Sequence, residues 1–262
     1  MSARFVVALF MLNFVKTFSS NNDPLVKIPQ GLLKGTHLET RNGRKISVFL
    51  GIPYAKPPIG KLRFRSPVPA EKWKGLRLAH TEGNMCPQLK SKNLLGDENC
   101  LYLNIYTPIL EFNSTLINSK KNLLPVMVWI HGGGFKTGSG SFTVYGPSYI
   151  LDKDVILVSI NYRLGVLGFF TTGDLLVPGN MGLKDQVLAL KWVQENIHFF
   201  GGDPDKVTIF GQSSAGACVN LHTISDASKG NVIQDYFTNI LSKVVLHFLD
   251  GHIEREVNLN LT

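Results

Sequence analysis

The chain has 262 residues, 44% hydrophobic and 18% charged, a balance that builds a buried core and excludes a disordered or low-complexity protein. Its 27 basic and 19 acidic residues leave a net charge of +8. The cations are scattered (Lys34, Arg41, Lys56, Lys74, Lys120, Lys153, Lys206, Lys243), which reads as a solvated surface and not as a nucleic-acid face.

The first element is an apolar run from Phe5 to Val15, preceded by Arg4 and followed by the small residues Ser19 and Ser20. It has the form of a secretory signal over residues 1–20. Lys16 closes it well short of the roughly 20 apolar residues that a membrane span needs, and no later stretch approaches that length. A secreted, extracellular protein is therefore expected, and secretion permits disulfides. Cys86 and Cys100 are close enough in sequence to close a small loop, whereas Cys218 reads as a buried free thiol. None of the three has zinc-site spacing, and no metal or cofactor is expected.

Gly31 to Ala55 reads as a β-hairpin, with strands at Leu32 to Thr40 and Lys45 to Leu50 about a turn at Asn42-Gly43. A proline-stiffened loop follows at 51–58, then an alternating strand from Leu101 to Tyr106. Asn113-Ser114-Thr115 is a glycosylation sequon, in keeping with secretion. Val126 to Ile130 and Val155 to Ile160 are continuous apolar runs suited to strands covered on both faces. Between them lies His131-Gly132-Gly133-Gly134-Phe135. Three consecutive glycines leave backbone N–H groups uncovered, as an oxyanion hole requires. A phosphate loop is excluded, because no Gly-Lys-Ser/Thr follows and no G-x-G-x-x-G opens a helix.

Leu183, Val187, Leu190, Val193 and Ile197 recur at helical spacing, so the pattern predicts a helix from Gly182 to His198, stopped by Gly201-Gly202-Asp203-Pro204. Val207 to Phe210 then forms a short buried strand that breaks at Gly211, presents Ser213 and runs into a small-residue helix start. Strand, sharp turn, serine and helix are the parts of a nucleophile elbow, with the helix N-terminus beneath the hydroxyl. The order of elements is that of a doubly wound α/β sheet.

From about Val26 to Gly230 the chain is similar to the type-B carboxylesterases, the cholinesterase-like branch of the α/β-hydrolases. The resemblance rests on an ordered motif series. It comprises Gly51-Ile52-Pro53-Tyr54-Ala55; Glu98-Asn99-Cys100-Leu101-Tyr102-Leu103-Asn104; the glycine loop; Asn161-Tyr162-Arg163-Leu164-Gly165; Gly179 to Gln186; Phe200-Gly201-Gly202-Asp203-Pro204; and the elbow. It implies an α/β-hydrolase fold with a mostly parallel sheet, and hydrolysis of a small-molecule carboxylic ester without a cofactor. Ser213 would be the nucleophile and the N–H groups of Gly133, Gly134 and Ser214 the oxyanion hole. Cys86 and Cys100 would correspond to the family's first disulfide. Asp185 would be a buried partner for Arg163.

Two departures stand out. The family's elbow is G-x-S-x-G, and Ala215 occupies the last glycine position, where a Cβ is expected to crowd its neighbours. The family's catalytic acid and histidine follow the serine, and none of His222, His247 or His252 has a matching context. His222 reads as a packed helix residue, and His247 falls in an apolar helical pattern of Val232, Tyr236, Ile240, Val244 and Phe248. Residues 231–262 are thus read as a divergent tail on an N-terminal carboxylesterase portion (21–230) that is incomplete after the elbow. The strand ending at Phe210 is expected at an exposed sheet edge, and activity is expected to be impaired. The alternative is a non-catalytic, cholinesterase-like binding or decoy protein. Nothing in the sequence specifies an oligomeric state.

Overall fold

The computed structural model describes residues 23–112 and 123–230, with three short strands beyond them. Residues 1–20, where a signal is expected, and the sequon at Asn113 lie outside the described residues. In chain order the strands are β1 (Leu25–Ile28), β2 (Gly31–Lys34), β3 (Thr36–Glu39), β4 (Lys45–Pro53), β5 (Leu76–Leu78), β6 (Gln88–Lys90), β7 (Asn93–Leu95), β8 (Tyr102–Thr107), β9 (Leu124–Ile130), β10 (Ile156–Ile160), β11 (Gly202–Gln212), β12 (Gln234–Thr238), β13 (His247–Leu249) and β14 (His252–Glu254). The helices are α1 (Phe142–Tyr145), α2 (Gly165–Phe169), α3 (Met181–Asn196) and α4 (Ser214–Ile224).

Seven strands form the central sheet, in the order β12-β11-β9-β10-β8-β4-β3. The pairs β12-β11, β11-β9 and β9-β10 are parallel, and β10-β8, β8-β4 and β4-β3 are antiparallel. Successive strand residues point to opposite faces. Val126, Val128 and Ile130 of β9, with Val158 of β10 and Ile209 of β11, therefore enter one core shared with α3 and α4. Met127, Trp129, Leu157 and Phe210 face the other side, against Phe142 and Ile150. Both long helices lie on the first face. α3 buries Ala189, Leu190, Trp192 and Val193 there, each large apolar side chain contributing about 1.5–3 kcal/mol. The helix then tightens into a 3-10 turn at Ile197–Phe200 and ends at Gly201.

Two expectations change. The strand predicted from Leu32 to Thr40 is broken at Gly35: β2 pairs with β1 and β5 in a separate three-stranded sheet, and only β3 forms the hairpin with β4. The tail is not helical where it is described. β12 is a strand that extends the sheet in parallel register from Thr208↔Gln234 to Gln212↔Thr238, so the strand leading to the serine is interior. An unpaired row of backbone groups along β11 is satisfied by a ladder, which a helix laid across that edge does not supply. His247 and His252 likewise lie on a strand pair, β13 and β14.

Candidate active site

β9 and β11 are adjacent and parallel, with Gly211 level with Ile130. The glycine loop at 131–135 and the elbow at 212–214 therefore leave the same end of the sheet side by side. Carboxyl ends of neighbouring parallel strands are where open α/β sheets place ligands.

At the elbow Ser213 adopts φ +58 and ψ −125, a strained conformation for a residue with a side chain. It is exposed and immediately precedes α4, whose first residue is Ser214. The turn is closed by the Gly216 N–H donating to the Ser213 carbonyl at 2.9 Å. Ala215 is fully buried, and its Cβ is accommodated because residue 211 has none. A Cβ on Gly211 would lie 2.7 Å from both the Ala215 Cβ and the Ile130 carbonyl oxygen. Ser214 is half-buried, and its Oγ accepts from the Phe135 N–H at 3.4 Å.

The glycine loop lies directly on the elbow. A Cβ on Gly132 would sit 3.2 Å from the Ser213 Cβ and collide with the Gln212 carbonyl. Gly133 and Gly134 have φ values of +119 and +61. The Gly133 carbonyl accepts from the N–H groups of Lys136 and Thr137, both at 3.1 Å. The N–H groups of Gly133 and Gly134 have no protein acceptor among the described residues. The Ser214 N–H heads a helix and has no intrahelical partner.

Residues beneath the loop hold it in place. The His131 ring stacks on Tyr162 with centroids 4.5 Å apart, and the Tyr162 hydroxyl donates to the His131 carbonyl at 2.7 Å. Burial lowers the His131 pKa to about 4. Arg163 grips Asp185 through Nε and a terminal nitrogen at 2.8 and 2.7 Å, while its own N–H donates to the same carboxylate. The expected buried pair is present. Cys86 and Cys100 form a disulfide with Cα atoms 5.0 Å apart. Two residues on, the Gln88 amide exchanges hydrogen bonds of 2.8 and 2.9 Å with the Gly138 backbone, clamping the exit of the glycine loop. No motif in the sequence marked Gln88, because its partner is fifty residues away.

His222 is buried on α4 with both ring nitrogens engaged, Nε2 with Gln186 Oε1 at 2.8 Å and Nδ1 with Ser228 Oγ at 2.7 Å. Burial lowers its pKa to about 4. It is a packed residue that ties α4 to α3. Cys218 is a free buried thiol whose pKa burial raises, and it accepts from Gln186 Nε2 at 3.4 Å. Beside the glycine loop an open cavity of about 1040 Å³ is lined by Gly134, Phe135, Leu164, Val166, Phe169, Phe170, Leu183 and Leu221, among others. Among the described residues no helix is long and apolar enough to cross a membrane, and no group of His, Cys, Asp or Glu could hold a metal ion.

This arrangement has known counterparts. The model of the carboxylesterase family matches residues 22–239, which include β12. Esterase FE4 of Myzus persicae is 50% identical over 218 residues, covering 82% of this chain and 38% of that one. Juvenile hormone esterase of Tribolium castaneum is 51% identical over 211 residues, covering 79% and 34%. A crystal structure of juvenile hormone esterase from Manduca sexta, with OTFP covalently attached, superposes with a TM-score of 0.74 at 39% identity. That match covers 81% of this chain and 40% of the other, so the chain spans between 34% and 40% of the length of these relatives. On the family match and on elbow and glycine loop alike, the chain belongs to the carboxylesterase family.

Proposed function

We propose that the chain carries the nucleophile and oxyanion half of a carboxylic ester hydrolase. The observation that carries this reading is the exposed, strained Ser213 set directly against Gly132, with the free N–H groups of Gly133 and Gly134 beside it. Ser213 Oγ attacks the ester carbonyl carbon while its proton passes to a base. The tetrahedral oxyanion is held by the N–H groups of Gly133, Gly134 and Ser214, each donor contributing about 3 kcal/mol in such sites. Collapse breaks the ester C–O bond, the alcohol leaves with a proton, and water hydrolyses the acyl-serine. The substrate is a small-molecule ester whose apolar part fits the cavity of about 1040 Å³ beside the loop.

The base is not His222, whose two nitrogens are occupied. Turnover by these residues alone is expected to be slow, because losing one triad member typically leaves only about 10³–10⁴-fold over water. The protein is read as extracellular, which the Cys86–Cys100 bond supports, together with the signal-like residues 1–20 and the sequon at Asn113.

The test is covalent labelling of the full chain with a fluorophosphonate, followed by peptide mapping. Labelling is expected at Ser213 and is expected to vanish in Ser213→Ala. A chain that stays unlabelled, or labelling that survives the substitution, overturns the reading. The engagement of both His222 nitrogens away from Ser213 is the observation on the side of the second reading, a non-catalytic binding or decoy protein, and an unlabelled but folded chain is what that reading requires.

A further inference from the structure

His131 reads in the sequence only as the residue before three glycines. In the structure its Nδ1 lies 2.8 Å from the carbonyl oxygen of Gly132, the next residue. A carbonyl only accepts, so Nδ1 carries the proton. That tautomer leaves Nε2 as a bare acceptor, and Nε2 is buried with no hydrogen-bond partner among the described residues. An unsatisfied buried nitrogen is unfavourable and calls for a reason. Space for the ring is kept by Gly138, where a Cβ would collide with Nδ1.

The reason lies in the geometry of the peptide unit. The Gly132 C=O and the Gly133 N–H belong to one planar trans peptide and point in opposite directions. Whatever holds that carbonyl toward the core aims that N–H outward. We propose that His131 is a positioning residue, whose Nδ1–H fixes the Gly132 carbonyl and thereby directs the Gly133 N–H at the oxyanion. The neighbouring peptide is set by the same device. The Gly133 carbonyl is held by the Lys136 and Thr137 N–H groups and by Thr137 Oγ1 at 3.2 Å, which turns the Gly134 N–H the opposite way. The first plane depends on a side chain and can be tested by substitution.

The inference rests on Ser213 being the nucleophile, and the experiment separates the two. Phosphonylation kinetics are measured on the full chain with a fluorophosphonate. A serine O–P bond forms, P–F breaks, fluoride leaves and the hydroxyl proton passes to water, while the phosphonyl oxygen occupies the oxyanion site. His131→Phe keeps a ring to stack on Tyr162 and removes the donor. His131→Asn loses the ring and keeps an amide N–H near the Nδ1 position. A donor role predicts that the saturating labelling rate of His131→Phe falls about tenfold or more with its half-saturating concentration little changed, and that His131→Asn stays within about threefold of the parent. A packing role predicts the reverse order. Full-rate labelling of His131→Phe, or equal losses in both variants, overturns the proposal and leaves Ser213 as nucleophile. An unlabelled parent overturns the nucleophile itself. Long-range ¹H–¹⁵N spectra of the unsubstituted protein give a check independent of refolding: Nδ1–H is expected, and an Nε2–H tautomer overturns the proposal.

Discussion

Gly211 and Ala215 share one small volume between the elbow and β9, and only one of them can carry a Cβ. A Gly211→Ala substitution brings its new Cβ to 2.7 Å from Ala215 Cβ and from the Ile130 carbonyl oxygen, an overpacking expected to cost about 1–3 kcal/mol. Adding Ala215→Gly removes the first collision and leaves the second. The double variant should therefore recover part of the loss and not all of it, as read from urea midpoints. A Gly211→Ala protein with the parent's midpoint would show that the elbow yields more easily than the packing implies. At this scale the sequence was legible in where the chain turns, placing Ser213 and the glycine run each at the end of a strand. It was silent about Gln88 and Tyr162, and about the hydrogen bond of His131, because a side chain's spatial partner leaves no periodic trace.

Strands β9 and β10 and helix α3 were legible because burial on both faces, or on one stripe, writes itself into the order of apolar residues. The tail misled for the same reason. Val232, Tyr236, Ile240, Val244 and Phe248 are spaced like a helix face, yet 234–238 is β12. A vacant ladder beside β11 outweighs a local helical preference, since strand propensity is largely a matter of what lies alongside. The Cys86–Cys100 link acts at the same scale. It closes a loop with a sequence separation of 14 that leads into the Gln88 clamp on Gly138, and such a closure contributes about 3 kcal/mol. The double variant Cys86→Ala/Cys100→Ala should melt at a clearly lower temperature than the oxidised parent. Equal melting temperatures would mean that the loop is held without its covalent tie.

At the scale of the whole molecule, histidines kept neutral inside the fold contribute an acid sensitivity to stability. His131 and His222 both have pKa values lowered to about 4 by burial, against about 6.5 in an unfolded chain. Above pH 6.5 neither state binds a proton at these two sites and their contribution to stability is complete. Between about pH 6.5 and 4 the unfolded chain takes up protons that the folded chain refuses, so stability falls with pH, by about 3 kcal/mol at most for each site. Denaturation midpoints should decline from pH 7 to pH 4.5, and the slope should flatten in His222→Gln, whose amide can still reach Gln186. A midpoint that rises on acidification would refute the assignment of neutral, buried imidazoles.

The pairing between β11 and β9 also contains an irregularity. It runs from Gly202↔Leu124 to Val207↔Val126, so five steps along one strand match two along the other, and then continues unbroken to Gly211↔Ile130. The excess chain bows out at Asp203 to Lys206, where the Asp203 carboxylate is bonded to the Asp205 N–H and Lys206 and the Pro204 carbonyl accepts from Gln194 of α3 at 2.9 Å. Slack taken up there never reaches the rungs above it. The reach from α3 to the sheet and the height of the serine above the sheet are thereby separate dimensions: the first is set by a bow bonded to α3 through Gln194, the second by a count of rungs that starts afresh at Val207.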